Sequence, residues 1–567
     1  MRTRYVSQLF FATLLVAGCT SAVSTTTTQP ASRESTAEEL RTLLYAFSDD
    51  SMLGREAGQL GDFKATTWIA EQMRRIGLEP GGDGGTYYQT VPISIAWLDT
   101  TRTIAVRGLP LRVGVDVLPF INANGGRAVP QGGSIRSVDG VEVVFGGQLG
   151  APSVIVPSAV AGKVVVFTIP AGSDGRRDFR YFYRPGSIAR YADAAGVAIA
   201  SLDAMSATSL ARARSSQEHI HSNVTGSAPL IMLITPTVAA RMFGVDNIDA
   251  VAVGTSAPSL TGGLSYTEMP ASYPARNVIG IVRGSDPQLR NTYVAIGAHN
   301  DHVGLERRAL DHDSVLANNM VIRRQGVQDA LRAPTADEAA RIAFLRDSLT
   351  RAHGGVRRDS VNNGADDDGS GTVALLAIAR RFAASADKPR RSLLFVSHTG
   401  EEKGLWGSQW FTDHPTVPRD SIITQLNMDM VGRGKATDVM GRGPNNVQLI
   451  GAGRLASGLR ATIDSVNAAR TPHMDIDLSF DANGHPMNRY CRSDHYMYAR
   501  YGIPISYFSL GYHTDYHQVT DEAQYIDYDH LARIAGFVYD VARAVADRPQ
   551  RFVIDGQRMD PLGGCRQ

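Results

Sequence analysis

In the stretch FVSHTGEEKGLWGS, residues 395–408, Glu401 and Glu402 stand side by side just beyond an apolar, strand-like run. Two adjacent carboxylates repel, and burying either one costs several kcal/mol unless it is paired. Their partner must be positive: an arginine, a solvated surface or a metal ion. The same question arises at four other places. TYVAIGA leads into His299, with Asp301 and His302 next to it. IITQLNM leads into Asp429, and GIPISYFSLG into a loop with His513, Asp515, Tyr516 and His517. NNGADDDGSGT sets Asp366, Asp367 and Asp368 just before the apolar run VALLAIARRFA.

Taken singly, each element has an ordinary structural reading. A His-x-Asp pair can be a surface hydrogen bond, two glutamates a solvated helix face, and DDDGSG a loop or a calcium-type turn. Together they form a pattern. In open α/β sheets ligands bind beyond the carboxyl ends of the strands. Four strands ending in ionisable groups, plus an acidic helix start, converge on one crevice. The donors are imidazole and carboxylate without cysteine, which suits Zn²⁺ or a similar divalent ion. A cation also offsets the Glu401–Glu402 repulsion.

These residues need elements to hold them. The chain has 567 residues, too many for one core, so two or more domains or large insertions are expected. In GDFKATTWIAEQMRRIGLEP, residues Ala65, Ile69, Met73 and Ile76 share one helical face, and Gly77 ends it. From 131 to 262 the texture changes to short Val/Ile-rich strands between Gly and Pro turns. Residues 305–363 form a polar, mostly helical insertion in which Thr335 and Glu338 have capping-box spacing. DYDHLARIAGFVYDVARAVADRP reads as an amphipathic helix. The expected fold is α/β, a mixed, mostly parallel central sheet flanked by helices, with an inserted β-rich domain.

Lys and Arg number 57 against 56 Asp and Glu, so electrostatics give no case for nucleic acid. The N-terminus, MRTRYVSQLFFATLLVAGCTS, has two arginines, an apolar stretch and small residues before Cys19. That is an export signal over 1–18, too short for a good membrane span. The residues before Cys19 resemble a bacterial lipobox, which implies a lipid anchor on Cys19 at the periplasm or cell surface. Residues 19–36 read as a disordered tether. In an oxidising compartment Cys491 and Cys565 form a disulfide or stay free thiols; the sequence leaves both open.

GAHNDHVG, NNGADDDGSG, EEKGLWGS, NMDMVG and YHQVTDE resemble, in order, the motif series of the M28 metallopeptidases, zinc exopeptidases with two co-catalytic ions. RSDHYMYARYGIPISYF, LGREAG and EQMRRIGLEP match further parts of that family. The resemblance covers 37–130, the N-terminal part of the peptidase domain, and 263–546 of its catalytic part, 263–567. The 131–262 insert, with its GKVVV strand, resembles the protease-associated domain.

The resemblance implies two Zn²⁺ per chain. His299 and Asp429 would hold one, Glu402 and His517 the other, and Asp367 would bridge them. Glu401 would be the general base acting on a metal-bridging water. Asp301 would hydrogen-bond His299, and Tyr516 would stabilise the tetrahedral oxyanion. A cis peptide is implied at Asp367–Asp368. His302, His398 and His513 match no ligand position, and His495, Trp406 and Trp410 read as structural. The expected activity is release of N-terminal amino acids from peptides. The alternatives are a glutamate-carboxypeptidase-like or glutaminyl-cyclase-like zinc enzyme on the same fold, and last a non-catalytic binding protein, which the intact ligand set argues against.

Overall fold

The computed structural model describes residues 35–567 apart from 100, 102, 120–134, 172–176, 178–187, 222–228, 265, 325, 327–328, 330–331, 434–442 and 562–564. The export signal, Cys19 and nearly all of the tether therefore lie outside the described residues.

The main body is built on a nine-stranded sheet. Its principal strands are β1 (Ala275–Val282), β2 (Tyr293–His299), β3 (Ser392–His398), β4 (Ile422–Met428), β5 (Asn446–Ile450) and β6 (Ile505–Ser509). Their spatial order is β1-β3-β2-β4-β6-β5, with short strands at both edges. The four inner strands, β3, β2, β4 and β6, all run parallel. Both edge neighbours, β1 and β5, run antiparallel to them. The four strands expected to end in ionisable residues are thus the parallel four, and their carboxyl ends open on the same side.

Strand alternation builds two cores. Val294, Ile296, Leu393 and Phe395 face a layer formed with α1 (Ala37–Phe47), α2 (Leu60–Ile76) and two helices described below. Ala295, Leu394 and Val396 face the opposite layer with Phe411, Tyr498 and Ile505. Each fully buried aliphatic side chain contributes roughly 1.5–3 kcal/mol, so the parallel strands read as continuous apolar runs. Gly77, with φ +84, ends α2 as its spacing predicted.

The 305–363 insertion is a helical hairpin, α3 (His312–Ile322) and α4 (Ala336–Ala352), rooted on a two-stranded sheet of Leu305–Asp311 and Arg358–Val361. Both halves of the Thr335–Glu338 capping box form. After the Asp run comes α5 (Gly371–Ala384), and α6 (Tyr528–Ala546) closes the first core layer.

The β-rich insert carries a six-stranded sheet with cores of its own. Its middle strands, Val143–Gln148, Val164–Thr168, Gly196–Ala200 and Leu230–Ile234, run parallel. Val117–Pro119 pairs antiparallel with Leu230–Ile234. The sheet thus reaches upstream of the expected start at 131, because a three-residue strand is too short to show a period. Cys491 and Cys565, left open by the sequence, are joined as a disulfide.

Candidate metal centre

Asp367 sits where the converging elements meet. Its Oδ1 lies 3.1 Å from His299 Nε2, and its Oδ2 lies 3.2 Å from His517 Nε2. His299 Nε2 is also 3.9 Å from Asp429 Oδ1, and His517 Nε2 is 3.0 Å from Glu402 Oε2. One carboxylate therefore faces two imidazoles, each with its own second carboxylate. All five residues expected to be ligands come together, and Asp367 holds the middle.

The backbone explains the placement. His299 is the last residue of β2, and Glu401 and Glu402 follow β3 through Gly400, whose φ of +68 suits a turn that other residues resist. Asp429 is the first residue after β4. The Asp367–Asp368 peptide is cis. Asp368 turns inward and works as a backbone anchor. It accepts from the amides of Gly371 (2.9 Å), Met430 (3.1 Å) and His299 (3.1 Å), tying α5, the β4 loop and β2 together. Asp521 accepts from the amides of Asp366 and Asp367, at 3.1 Å each. His517 has φ +57, a left-handed conformation that costs a non-glycine residue about 1 kcal/mol or more.

Three placements add to or differ from the sequence reading. The Asp301 carboxylate faces His299 Nδ1 at an ion-pair distance of 3.7 Å, and the Asp301 backbone carbonyl stands closer, at 3.1 Å. The carboxylate also accepts from the amides of Glu401 (3.0 Å) and Glu402 (3.3 Å). It thus fixes the two-glutamate loop as well as facing the imidazole. His302 is not a bystander. Its Nδ1 is 3.0 Å from Glu402 Oε1, and one ligand-type atom from each of His302, Asp367, Glu402 and His517 lies within 4.8 Å of the others. His299, Asp368 and Asp429 meet the same condition.

Third, Arg55 in LGREAG is fully buried. Its Nε donates to the Asn300 carbonyl at 3.0 Å and its Nη2 to the Gly364 carbonyl at 2.8 Å. It clamps the His299 loop to the Asp367 loop. Its bonds go to backbone carbonyls some 245 and 309 positions away, which leave no trace in local spacing. Lys403 Nζ likewise donates to Glu56 Oε1 (2.9 Å) and to Glu218 of the insert, linking that region to the Glu402 loop.

His398 and His513 stay structural. His398 Nε2 is 3.0 Å from the Tyr498 hydroxyl, and His513 Nε2 is 3.3 Å from Asp366 Oδ2. His495 stacks on Tyr507 at 4.6 Å, and Trp406 is core. Tyr516 stacks on His517 at 3.8 Å and meets Tyr512 at 4.6 Å.

The electrostatics describe a negative well. Burial pushes the Glu401 carboxyl well above its usual range, Glu402 and Asp429 adding to the effect against His299. Burial pushes the Asp429 carboxyl up to about 6. Burial alone would lower the His517 imidazole, but the facing Asp367 and Glu402 carboxylates outweigh that and push it up to about 10. Burial also holds the Tyr516 phenol well above its ordinary value, so it stays a proton donor.

The donor set fits a divalent ion. Ligands on a tetrahedral zinc with bonds of about 2.1 Å stand about 3.4 Å apart, and the four separations around Asp367 bracket that figure. Asp367 Oδ2 and His517 Nε2 are buried and 3.2 Å apart, yet form no hydrogen bond with each other or with any other group. Two ligands aimed at one ion have that relation.

Peptidase family M28 matches residues 277–542. Leucine aminopeptidase 1 of Paracoccidioides brasiliensis (strain Pb03) is 32% identical over 211 residues, 34% of this chain and 52% of that protein. The chain spans about half the length of the curated relatives it matches. Among solved structures, an aminopeptidase from Aneurinibacillus sp. strain AM-1 aligns over 93% of this chain and 97% of its own, at 16% identity and TM-score 0.40. BSAP, a zinc aminopeptidase from Bacillus subtilis, aligns over 89% and 94%, at 16% identity and TM-score 0.40.

Proposed function

We propose that the protein is an exported zinc exopeptidase that uses two zinc ions to release N-terminal amino acids from peptides, a reading supported by the match of Peptidase family M28 to residues 277–542. The observation that carries this reading is the bridging posture of Asp367, with each carboxylate oxygen facing a different histidine.

His299 and Asp429 would hold one ion, Glu402 and His517 the other, with Asp367 between them. Bound there, two zinc ions lower the pKa of a shared water and polarise the scissile carbonyl. Glu401 takes a proton from water as the oxygen–carbon bond forms, then delivers it to the leaving amine as the carbon–nitrogen bond breaks. The Tyr516 phenol, kept protonated, donates to the oxygen that gains charge. Asp301 keeps Glu401 and Glu402 in place by holding both backbone amides.

An exported location rests on the leader and on Cys19 as a lipid anchor. The Cys491–Cys565 disulfide fits an oxidising compartment. The substrate class is tested with aminoacyl, dipeptide and N-blocked chromogenic substrates, with and without chelator. The reading expects cleavage that needs a free N-terminus and stops with chelator. Cleavage of N-blocked substrates alone, or turnover untouched by chelator, contradicts it.

A further inference from the structure

The 305–363 insertion touches the loop that delivers His517 at three points. At the start of α3, His312 Nε2 lies 2.9 Å from Glu522 Oε2. Within α3, Asn319 is 1% exposed, and its Nδ2 donates to Asp515 Oδ1 at 2.8 Å and to Gln518 Oε1 at 2.7 Å. Beyond α3, Gly326 lies so close to the Tyr512 carbonyl that a Cβ would come within 2.0 Å of its oxygen. The contacts thus cover the loop from Tyr512 to Glu522.

The middle contact is the informative one. Asp515 and Gln518 flank Tyr516 and His517, so one amide group clamps the chain on both sides of that pair. Other bonds to Asp515 reinforce the clamp: Thr520 Oγ1 donates to its Oδ1 at 2.8 Å, and Arg433 Nη1 (2.7 Å) and Thr514 Oγ1 (3.3 Å) donate to its Oδ2. Asp521 anchors the far end of the loop through its carboxylate to the amides of Asp366 and Asp367, and its own amide donates to the Gln518 carbonyl at 3.0 Å; the side-chain hold on the 515 end comes from Asn319, Thr520 and Arg433. That bend holds His517 in a left-handed conformation, which relaxes unless neighbours fix it. Burial of an amide that makes two side-chain bonds defines one geometry, because an unmade bond there is costly.

We propose that Asn319 is a positioning residue for His517 and Tyr516, and that the insertion serves the centre as a splint along its loop. The proposal rests on the two-zinc reading above. It concerns one half of the centre, since no insertion residue makes such bonds to His299 or Asp429 among the described residues.

The test strips metal from the purified full chain and titrates zinc into wild type, Asn319→Asp, Asn319→Ser and Phe344→Ser. Phe344 is an exposed residue of α4 in the same insertion. The proposal expects two zinc sites in wild type and in Phe344→Ser. Both Asn319 variants keep one site at wild-type affinity and weaken the other by about 10–100-fold, the usual effect of losing a group that orients a ligand. Excess zinc then recovers activity. Two sites at wild-type affinity in both Asn319 variants overturn the proposal, as does equal weakening of both sites or the same loss in Phe344→Ser. Should Asn319→Asp fail to fold in a thermal melt, Asn319→Ser decides. No zinc uptake by wild type is a separate result, which ends the two-zinc reading and this proposal with it.

Discussion

The two halves of the centre are built differently. His299 and Asp429 stand at or directly beyond the ends of neighbouring parallel strands, β2 and β4, whose register fixes them. Glu402 and His517 stand on loops, and other parts of the chain hold those loops: Asp301 for the first, Asn319 and Asp521 for the second. Sheet hydrogen bonds are repeated and cooperative, whereas a loop depends on a few side chains. The strand half should therefore tolerate change around it, and the loop half should not.

The largest effect should come from removing what the halves share. Asp367→Ala is expected to lower zinc content at both sites, measured by elemental analysis, and to reduce turnover to background; full loading would end the bridging role. Glu401→Gln should keep both ions and lower kcat by about 10²–10⁴-fold, since only proton transfer is lost. His517→Ala should separate the halves, retaining about one zinc per chain and losing at least about tenfold in kcat/KM. Retention of two ions would show that the loop half does not depend on this residue.

The smallest effect concerns the sheet and acid. His495 stacks on Tyr507 of β6, and burial pulls its pKa down to about 3 from about 6.5. The unfolded chain therefore takes up a proton below pH 6.5 that the folded chain refuses until about pH 3. Stability from this residue is complete above pH 6.5 and falls as pH drops, by at most about 1.4 kcal/mol per pH unit. Denaturant melts of wild type and His495→Phe between pH 7 and 4 check it, with the shallower slope expected in the variant.

Much of the strand half was legible in the sequence. The apolar runs TYVAIGA and IITQLNM end in His299 and Asp429, and the motif order carried the family resemblance. The supports between segments were not legible. Arg55 and Asp521 bond to backbone carbonyls and amides, which impose no residue type at the far end, and Asn319 reaches side chains 196 and 199 positions away, which no local spacing marks. His302 was set aside because it matches no ligand position in the motif, yet packing turns its ring to Glu402. The Asp301 carboxylate faces His299 as its spacing suggests, but its contacts with the Glu401 and Glu402 amides, 100 and 101 positions away, have no local sequence signal. The disulfide likewise joins residues 74 positions apart, a closeness only the fold reveals.

A crystal of the zinc-loaded protein, measured at the zinc absorption edge, addresses the centre most directly. Two anomalous peaks about 3.5–4 Å apart are predicted, one beside Asp367 Oδ1, His299 and Asp429, the other beside Asp367 Oδ2, Glu402 and His517. A single peak, or peaks away from Asp367, would contradict the shared-carboxylate arrangement and the chemistry assigned to it.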